Sequence, residues 1–517
     1  MAPTAPTAPT TTSTTVSTGT RPRPPVPPRV ARRPGPGPGR AVTAAVPAGL
    51  VLVLGLWGIT RQDSMWRDEA ATWQVAHRSL PDIWRMLGTV DVVHGLYYAV
   101  MHLLFEVFGD SLLTLRAPSV VAMAAAAALT ADLGARLAGR WSGLGAGLAV
   151  ALLPLCQVFA QEGRPYAMVT ATVACATWLL VAAMRRPRAR TWSGYAVAVL
   201  LGALLNWFSL LALAAHAVTV AVARPHRAVR AGWLLAAGAA VLGALPLILA
   251  SRGQSRQVSW IPPVSPGTLA VVAAGVLAAG GCALLRGARE PARAHLVPAG
   301  RLSPAAVAVP LCVLPQVTLL VVSLTVQPLY VGRYVLFSHL GLALLLGVAS
   351  ATLAGRVSFR LRLRPAVALT LVTALAFLAL LPVELDVRAA DSRVDDVLTA
   401  ADVVAAVRGP GGAVVFIPSA RRDTATVTPG AFHGLRDIAL VHSPAAAGTL
   451  HGVEADPAAI ARALLREKRV IVVGDAVQRP ARNARDRAKR RVLREHFTER
   501  STTVRRGRSV TVYERVR

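Results

Sequence analysis

Acids are scarce in this chain. Asp and Glu number 26 against 56 Lys and Arg, and only 16% of the 517 residues are charged. A soluble chain of this length carries roughly a quarter charged residues, which argues against a soluble globular enzyme. The net charge of +30 raises nucleic acid as a partner. The arginines, however, gather in short loops between apolar runs, the pattern of loops facing anionic lipid, so no nucleic acid is expected. Cysteine is equally scarce. Cys156, Cys175, Cys282 and Cys312 lie in or at the edge of apolar segments, without C-x-x-C or a Cys/His cluster. They read as buried small hydrophobes rather than a disulfide frame or a zinc site. There is no H-E-x-x-H and no close His pair; His94 with Glu69 is a thin constellation for a divalent metal, so metal is not indicated and no cofactor is expected. No small-residue cleavage site follows the first apolar run, so that run is read as a retained helix rather than a signal peptide.

What the chain has is apolar length: 54% of its residues are hydrophobic. Runs near the twenty or so residues that span a bilayer fall at 41–60, 112–135, 142–160, 166–184, 192–206, 208–223, 231–250, 266–285, 304–326, 334–354 and 365–384. Arginines crowd every second loop, at Arg136/Arg140, Arg185–Arg190, Arg224–Arg230, Arg286–Arg301 and Arg356–Arg364, while the alternate loops are much less basic. The fold class is therefore a polytopic α-helical membrane protein of about eleven transmembrane helices, multi-pass in a plasma membrane, with a cytoplasmic N-terminus. The lipid bilayer is its first partner. Asn206–Ser209 has to make a very tight hairpin.

Three parts follow: a disordered Pro/Thr/Arg-rich cytoplasmic tail at 1–40, a transmembrane domain at 41–385 whose first extracytoplasmic loop is 61–111, and a small extracytoplasmic α/β domain at 386–517. In that last part 414–417, 470–475 and 510–513 read as buried strands, with helices near 393–407 and 457–467. His94–Phe108 is apolar but only about 22 Å long as a helix. His94, Tyr98, His102 and Glu106 recur every four residues as a polar stripe, which predicts a helix lying along the outer leaflet.

This topology collects a set of polar groups on the outer face. The first loop gives Asp68, Glu69, Asp91 and His94, with Tyr97 and Tyr98; Arg116 tops the second span. Later loops give Gln161, Glu162, Arg164 and Tyr166, then Arg252, Arg256 and Trp260, and finally Tyr330, Arg333 and Tyr334. Arginine clamps a phosphate bidentately, and a carboxylate serves as general base toward a hydroxyl. The combination suits a lipid-linked anionic substrate with a polar head.

The motifs W-x-D-E-A, H-G-L-Y-Y, F-G-D-S-x-x-x-L-R-x-P-S, Q-E-G-R-P-Y and Y-V-x-R-Y, in that order over roughly 41–385, resemble the GT-C glycosyltransferases. They are most similar to the branch related to protein O-mannosyltransferases and the aminoarabinose transferase of lipid A, whose bacterial members typically carry an outer C-terminal domain. The Ala-, Arg-, Gly- and Pro-rich composition suggests a GC-rich bacterial genome, and so a bacterial plasma membrane. The resemblance implies transfer of a sugar, with mannose as the default, from a polyprenyl-phosphate donor to an acceptor hydroxyl on protein, polysaccharide or lipid at the extracytoplasmic face. It implies Asp68 as catalytic base with Glu69 beside it. Arg164, Arg333, His94 and Arg116 would then bind the donor phosphate. Tyr97, Tyr98, Gln161, Glu162, Tyr166, Tyr330 and Tyr334 would contact substrate. The family commonly has H-P-P or K-P-P where this chain has His94-Gly95-Leu96, and Q-E-A-R-M-Y where it has Gln161–Tyr166 with Arg164 retained.

Plainer readings stand beside these. Asp68–Glu69 can be a solvated pair capping the following helix, the arginines can be snorkelling at helix ends, and the tyrosines can belong to an interfacial aromatic belt. A transporter or flippase of lipid-linked sugars would use the same charged cavity without chemistry. It would be expected to show an internal repeat and acids near the midplane, and this sequence shows neither.

Overall fold

The structure is a computed structural model that describes residues 38–287, 302–409, 411–481 and 483–516. The Pro/Thr-rich tail up to residue 37, Arg289, Arg293 and Arg301 of the basic loop, and the side chains of Cys282, Arg256 and Arg286 lie outside what is described. Cys156 and Cys312 are buried and Cys175 is partly so.

Each of the eleven apolar runs is helical: Arg40–Leu56, Leu112–Ala138, Arg140–Leu152 continued by Pro154–Ala160, Tyr166–Arg185, Ala189–Leu205, a stretch ending in Ala212–Ala223, Arg227–Arg252, Pro266–Gly287, Pro304–Thr325, His339–Leu361 and Pro365–Val387. Among the described residues six helices are long and apolar enough to cross a membrane, and a seventh if the pair broken by 62° at Leu153-Pro154 is one span. Proline explains that break, since Pro154 has no N–H for the helical ladder and its ring clashes with the preceding turn. The other four are shorter apolar helices over the residues described with their side chains, Pro266–Gly281 among them, so length and composition do not establish eleven crossings.

The tight hairpin at Asn206 closes through the residue's own side chain. Its Oδ1 accepts from the Phe208 backbone N–H at 3.1 Å, and a 3₁₀ turn over Trp207–Leu211 leads into Ala212–Ala223. Helix pairs approach closely where small residues meet. A Cβ on Gly347 would overlap the backbone of Ser142 and Ala146, and such contacts hold helices together where lipid supplies no hydrophobic drive. At the end of the bundle away from Asp68, Asp132 accepts from Arg40 at 3.0 Å, Arg136 at 2.7 Å and Trp178 at 2.7 Å. The first, second and fourth apolar helices are tied together there.

In the first loop, Arg67–Ala76 and Leu80–Leu87 precede the helix Gly95–Phe108. The expected polar stripe on that last helix turns inward only in its first half: His94 and Tyr98 are buried, His102 is half-buried and Glu106 is exposed, while Tyr97, Met101 and Phe105 are buried beside it and Leu103, Val107 and Phe108 are exposed.

The C-terminal part is a five-stranded sheet with two further short strands. In chain order the strands are β1 (Ala413–Ile417), β2 (Arg436–Asp437), β3 (Leu440–His442), β4 (Val453–Glu454), β5 (Arg469–Asp475), β6 (Phe497–Arg505) and β7 (Arg508–Arg515). The sheet order is β2-β1-β5-β7-β6, with β1 parallel to β2 and β5, and β7 antiparallel to β5 and β6. The expected central strands are present; β2, β6 and the helix Ala484–His496 were not anticipated, because their charged or exposed residues show no apolar run. This domain is bonded to the first loop. Val397 N–H donates to the Met65 carbonyl at 2.7 Å, Met65 N–H to Asp396 at 3.1 Å, and Arg78 to the Thr449 carbonyl at 2.8 Å.

Candidate active site

Asp68 and Glu69 are neighbours in the first turn of the helix Arg67–Ala76. Successive helical side chains lie about 100° apart, so two adjacent acids cannot share an environment on a half-buried helix. Glu69 points into the protein and is fully buried. Its carboxylate accepts from Arg116 Nε at 2.7 Å and Nη2 at 2.8 Å, from Arg61, and from the Gly163 N–H at 3.0 Å. Burial pushes this carboxyl up, but the Arg116 and Arg61 guanidiniums outweigh it and hold the pKa at about 2. Arg116 spends its remaining donors on the carbonyls of Ile59 at 2.7 Å and Ser64 at 2.6 Å. This cluster ties the end of the first span to the second and third, behind the cavity wall.

Asp68 faces a cavity of about 550 Å³ that is also lined by His94, Arg164, Tyr166, Arg333 and Tyr334. Its carboxylate stands 3.4 Å from Arg333 Nη2. The Arg333 guanidinium lies within 6 Å of four rings, Trp66, Tyr166, Trp260 and Tyr334, at 5.9, 5.8, 5.3 and 5.9 Å. Aromatic faces hold a cation without consuming its hydrogen-bond donors, which leaves the guanidinium available to an oxyanion. Tyr334 is in turn stacked on Phe208, 4.8 Å apart and 8° from parallel.

Arg164 is steered by His94. Its Nη2 donates to His94 Nε2 at 2.7 Å, and Nη1 reaches the Asp68 carbonyl at 3.3 Å. Burial, then the charges of Arg164 and Arg333, hold the His94 imidazole well below its usual pKa, so it stays neutral and accepts a hydrogen bond from the arginine. The sign of the consequence is definite. The unfolded chain takes up a proton on this side chain near pH 6.5 and the native one does not, so stability falls as pH drops below about 6.5. His94→Gln keeps an acceptor for Arg164 but does not titrate. Its melting temperature is expected to fall less than that of wild type between pH 6.5 and 5.

Several residues anticipated as ligands do other work. Glu69 and Arg116, expected as catalytic and phosphate-binding, are absent from the cavity wall because they neutralise one another in the core. Gln161 is buried with its amide on the Gly55 and Trp57 carbonyls at 2.9 and 2.6 Å. Glu162 sits 3.4 Å from Arg393, and burial raises its pKa. Tyr98 donates to Asp91 at 2.7 Å. Tyr97 is buried beside it. Tyr330 donates to Gln316 at 2.6 Å, on a separate, mostly apolar cleft of about 420 Å³ between the helices Pro266–Gly287, Pro304–Thr325 and His339–Leu361. Among the described residues no group of three His, Cys, Asp or Glu side chains is placed to hold a metal ion.

The cavity also has a roof that the sequence did not announce. Ala420, Arg421, Asp423, Leu450 and His451 of the C-terminal domain line it, more than 350 residues from Asp68 along the chain. No local pattern encodes a contact at that separation.

Comparison with known proteins gives two findings. Residues 96–251 match the family model of dolichyl-phosphate-mannose-protein mannosyltransferase. The matched stretch contains Arg116, Arg164 and Tyr166 and leaves out Asp68 and Arg333. No curated protein matches. The fold is similar to that of ArnT from Cupriavidus metallidurans solved with undecaprenyl phosphate, with a TM-score of 0.58 and 14% identity over 92% of this chain and 98% of that one. The apo form of the same protein gives 0.55 and 13%, over 90% and 97%. With its helical bundle and its strand-containing C-terminal part, the chain has the GT-C glycosyltransferase fold.

Proposed function

We propose that the chain transfers a sugar from a polyprenyl-phosphate carrier to an acceptor hydroxyl at the face of the membrane where the first loop lies. The observation that carries this reading is the convergence of the partly exposed Asp68 carboxylate with Arg333 and Arg164 in a single cavity, where the other half-exposed acid, Asp91, is taken up by the Tyr98 hydroxyl. Asp68 takes the proton of the acceptor hydroxyl, whose oxygen attacks the anomeric carbon. The bond to the carrier oxygen breaks and polyprenyl phosphate leaves with the electron pair. Arg164 and Arg333 hold the phosphate and stabilise the charge that grows on it. One such displacement inverts the anomeric centre. The apolar cleft beside Tyr330 and Gly332 is suited to the carrier's hydrocarbon tail. The donor sugar is proposed to be mannose, in line with the family matched over 96–251.

Arg333→Ala removes one phosphate clamp and leaves its four rings in place. The expected result is donor binding weaker by roughly 10–100-fold, since hydrogen bonds to charged groups contribute about 1.5–3 kcal/mol. Arg333→Lys should recover only part, because an ammonium lacks the planar fork. Donor affinity measured by titration in detergent checks this. Unchanged affinity in Arg333→Ala would remove that residue from the site.

A further inference from the structure

The second large concavity lies in the C-terminal domain, and the catalytic proposal makes no use of it. It is a groove of about 810 Å³ at the carboxyl ends of β1 and β5, lined there by Ile417, Pro418, Gly474 and Asp475. The chain leaving β1 runs to β2 on one side of the sheet, and the chain leaving β5 runs to β6 and β7 on the other. β1 and β5 are thus neighbouring parallel strands whose connections diverge, and crevices outside the carboxyl ends of strands at such a switch point are where open α/β sheets take ligands.

Two further features say what the groove takes. It is continuous with the catalytic cavity, since Trp260, Ala420 and Arg421 line both; Trp260 at the junction is 52% exposed. Its charge is unbalanced. Of its acids, Asp475 is held by Arg421 at 2.5 Å and Asp486 is 3.4 Å from Lys489. Arg479, Arg490 and Arg494 line the same groove and enter no ion pair with an acid among the described residues, and Glu499 is the one groove acid left outside an ion pair there. Arg490 donates instead to the Arg479 carbonyl at 2.6 Å.

We propose that this groove is the acceptor subsite and that the acceptor is an anionic glycan chain. The chain lies along Arg479, Arg490 and Arg494 with its reacting end passing Arg421 and Trp260 toward Asp68. The assignment rests on the transferase reading. Cationic side chains match the acidic groups, Tyr513 and Trp260 offer ring faces to sugars, and a concave groove suits a chain better than a flat membrane surface.

The test uses the full-length protein in nanodiscs of zwitterionic lipid. The probes are a galacturonate hexamer, maltohexaose as its neutral counterpart, and vesicles containing anionic phospholipid. The acidic hexamer is expected to bind at least tenfold more tightly than the neutral one. Arg479→Gln/Arg490→Gln/Arg494→Gln is expected to lose roughly tenfold or more of that affinity, equivalent to about 1.4 kcal/mol, with donor affinity as the control for an intact fold. Arg479→Gln/Arg494→Gln, at two exposed positions, repeats the test with less risk to folding. Equal binding of the two hexamers, unchanged binding in the variants, or binding of the vesicles in place of the acidic hexamer would overturn the proposal. Hexamer binding by a protein that binds no polyprenyl-phosphate sugar would leave the groove standing and sink the transferase reading instead.

Discussion

Asp68→Asn is expected to lower sugar transfer by roughly 10²–10⁴-fold, the usual contribution of a positioned general base, with the melting temperature within a few degrees of wild type. Asparagine has nearly the shape of aspartate and its amide oxygen still faces Arg333, but it cannot accept the hydroxyl proton. Asp68 is partly exposed, with 24% of its side chain open, and its one ion pair is the 3.4 Å contact to Arg333. Donor affinity should therefore change little and the rate of the chemical step should carry the loss. A rate unchanged in Asp68→Asn would mean that the base lies elsewhere.

The neighbouring acid is expected to behave in the opposite way. Glu69→Gln removes the charge that neutralises both Arg61 and Arg116, whose side chains are fully buried with it. Taking one partner from a buried ion pair costs about 3–5 kcal/mol, because the remaining charge stays desolvated and unpaired. The protein should be recovered in low yield and unfold at clearly lower temperature in detergent. The fraction that does fold should keep its transfer rate, since Glu69 does not face the cavity. Acid should act on the same cluster. The folded carboxyl sits near pKa 2 against its ordinary 4.5, so its contribution is intact above about pH 4.5 and is lost as pH falls from there toward 2. A Glu69→Gln protein as stable as wild type, yet inactive, would reverse the roles assigned to the two acids.

These two residues also show where sequence reading reaches its limit. That an acid pair stands just beyond the first apolar run is legible in the sequence, as are the helical runs and the central strands β1, β5 and β7. Which member of the pair faces the cavity is not legible from composition and spacing, because that depends on a helix rotation fixed by Arg116, 47 residues away, and by the Gly163 N–H, 94 residues away. Arg116 and Arg164 look alike in sequence, each in a polar motif at the outer end of a span. Arg116 meets a buried carboxylate and two carbonyls, whereas Arg164 meets a neutral histidine and the cavity. The burial of Tyr97 and Tyr98 was hidden for a related reason: the turn of this helix that packs on Arg67–Ala76 and Leu80–Leu87 is set by tertiary contacts, so its polar stripe is buried at His94 and Tyr98 and exposed at Glu106. The Arg421 and His451 roof was illegible because it exists only once the C-terminal domain is bonded to the first loop.

The central claim is that Asp68 drives transfer from a polyprenyl-phosphate sugar, and its most direct measurement is turnover of a radiolabelled donor. Purified wild type and Asp68→Ala are incubated with polyprenyl-phosphate mannose, and in parallel with the glucose and arabinose donors. Release or transfer of label from one donor by wild type, with none by Asp68→Ala, is the predicted result. Equal turnover by both proteins, or no turnover of any of the three donors by a folded wild type, would contradict it.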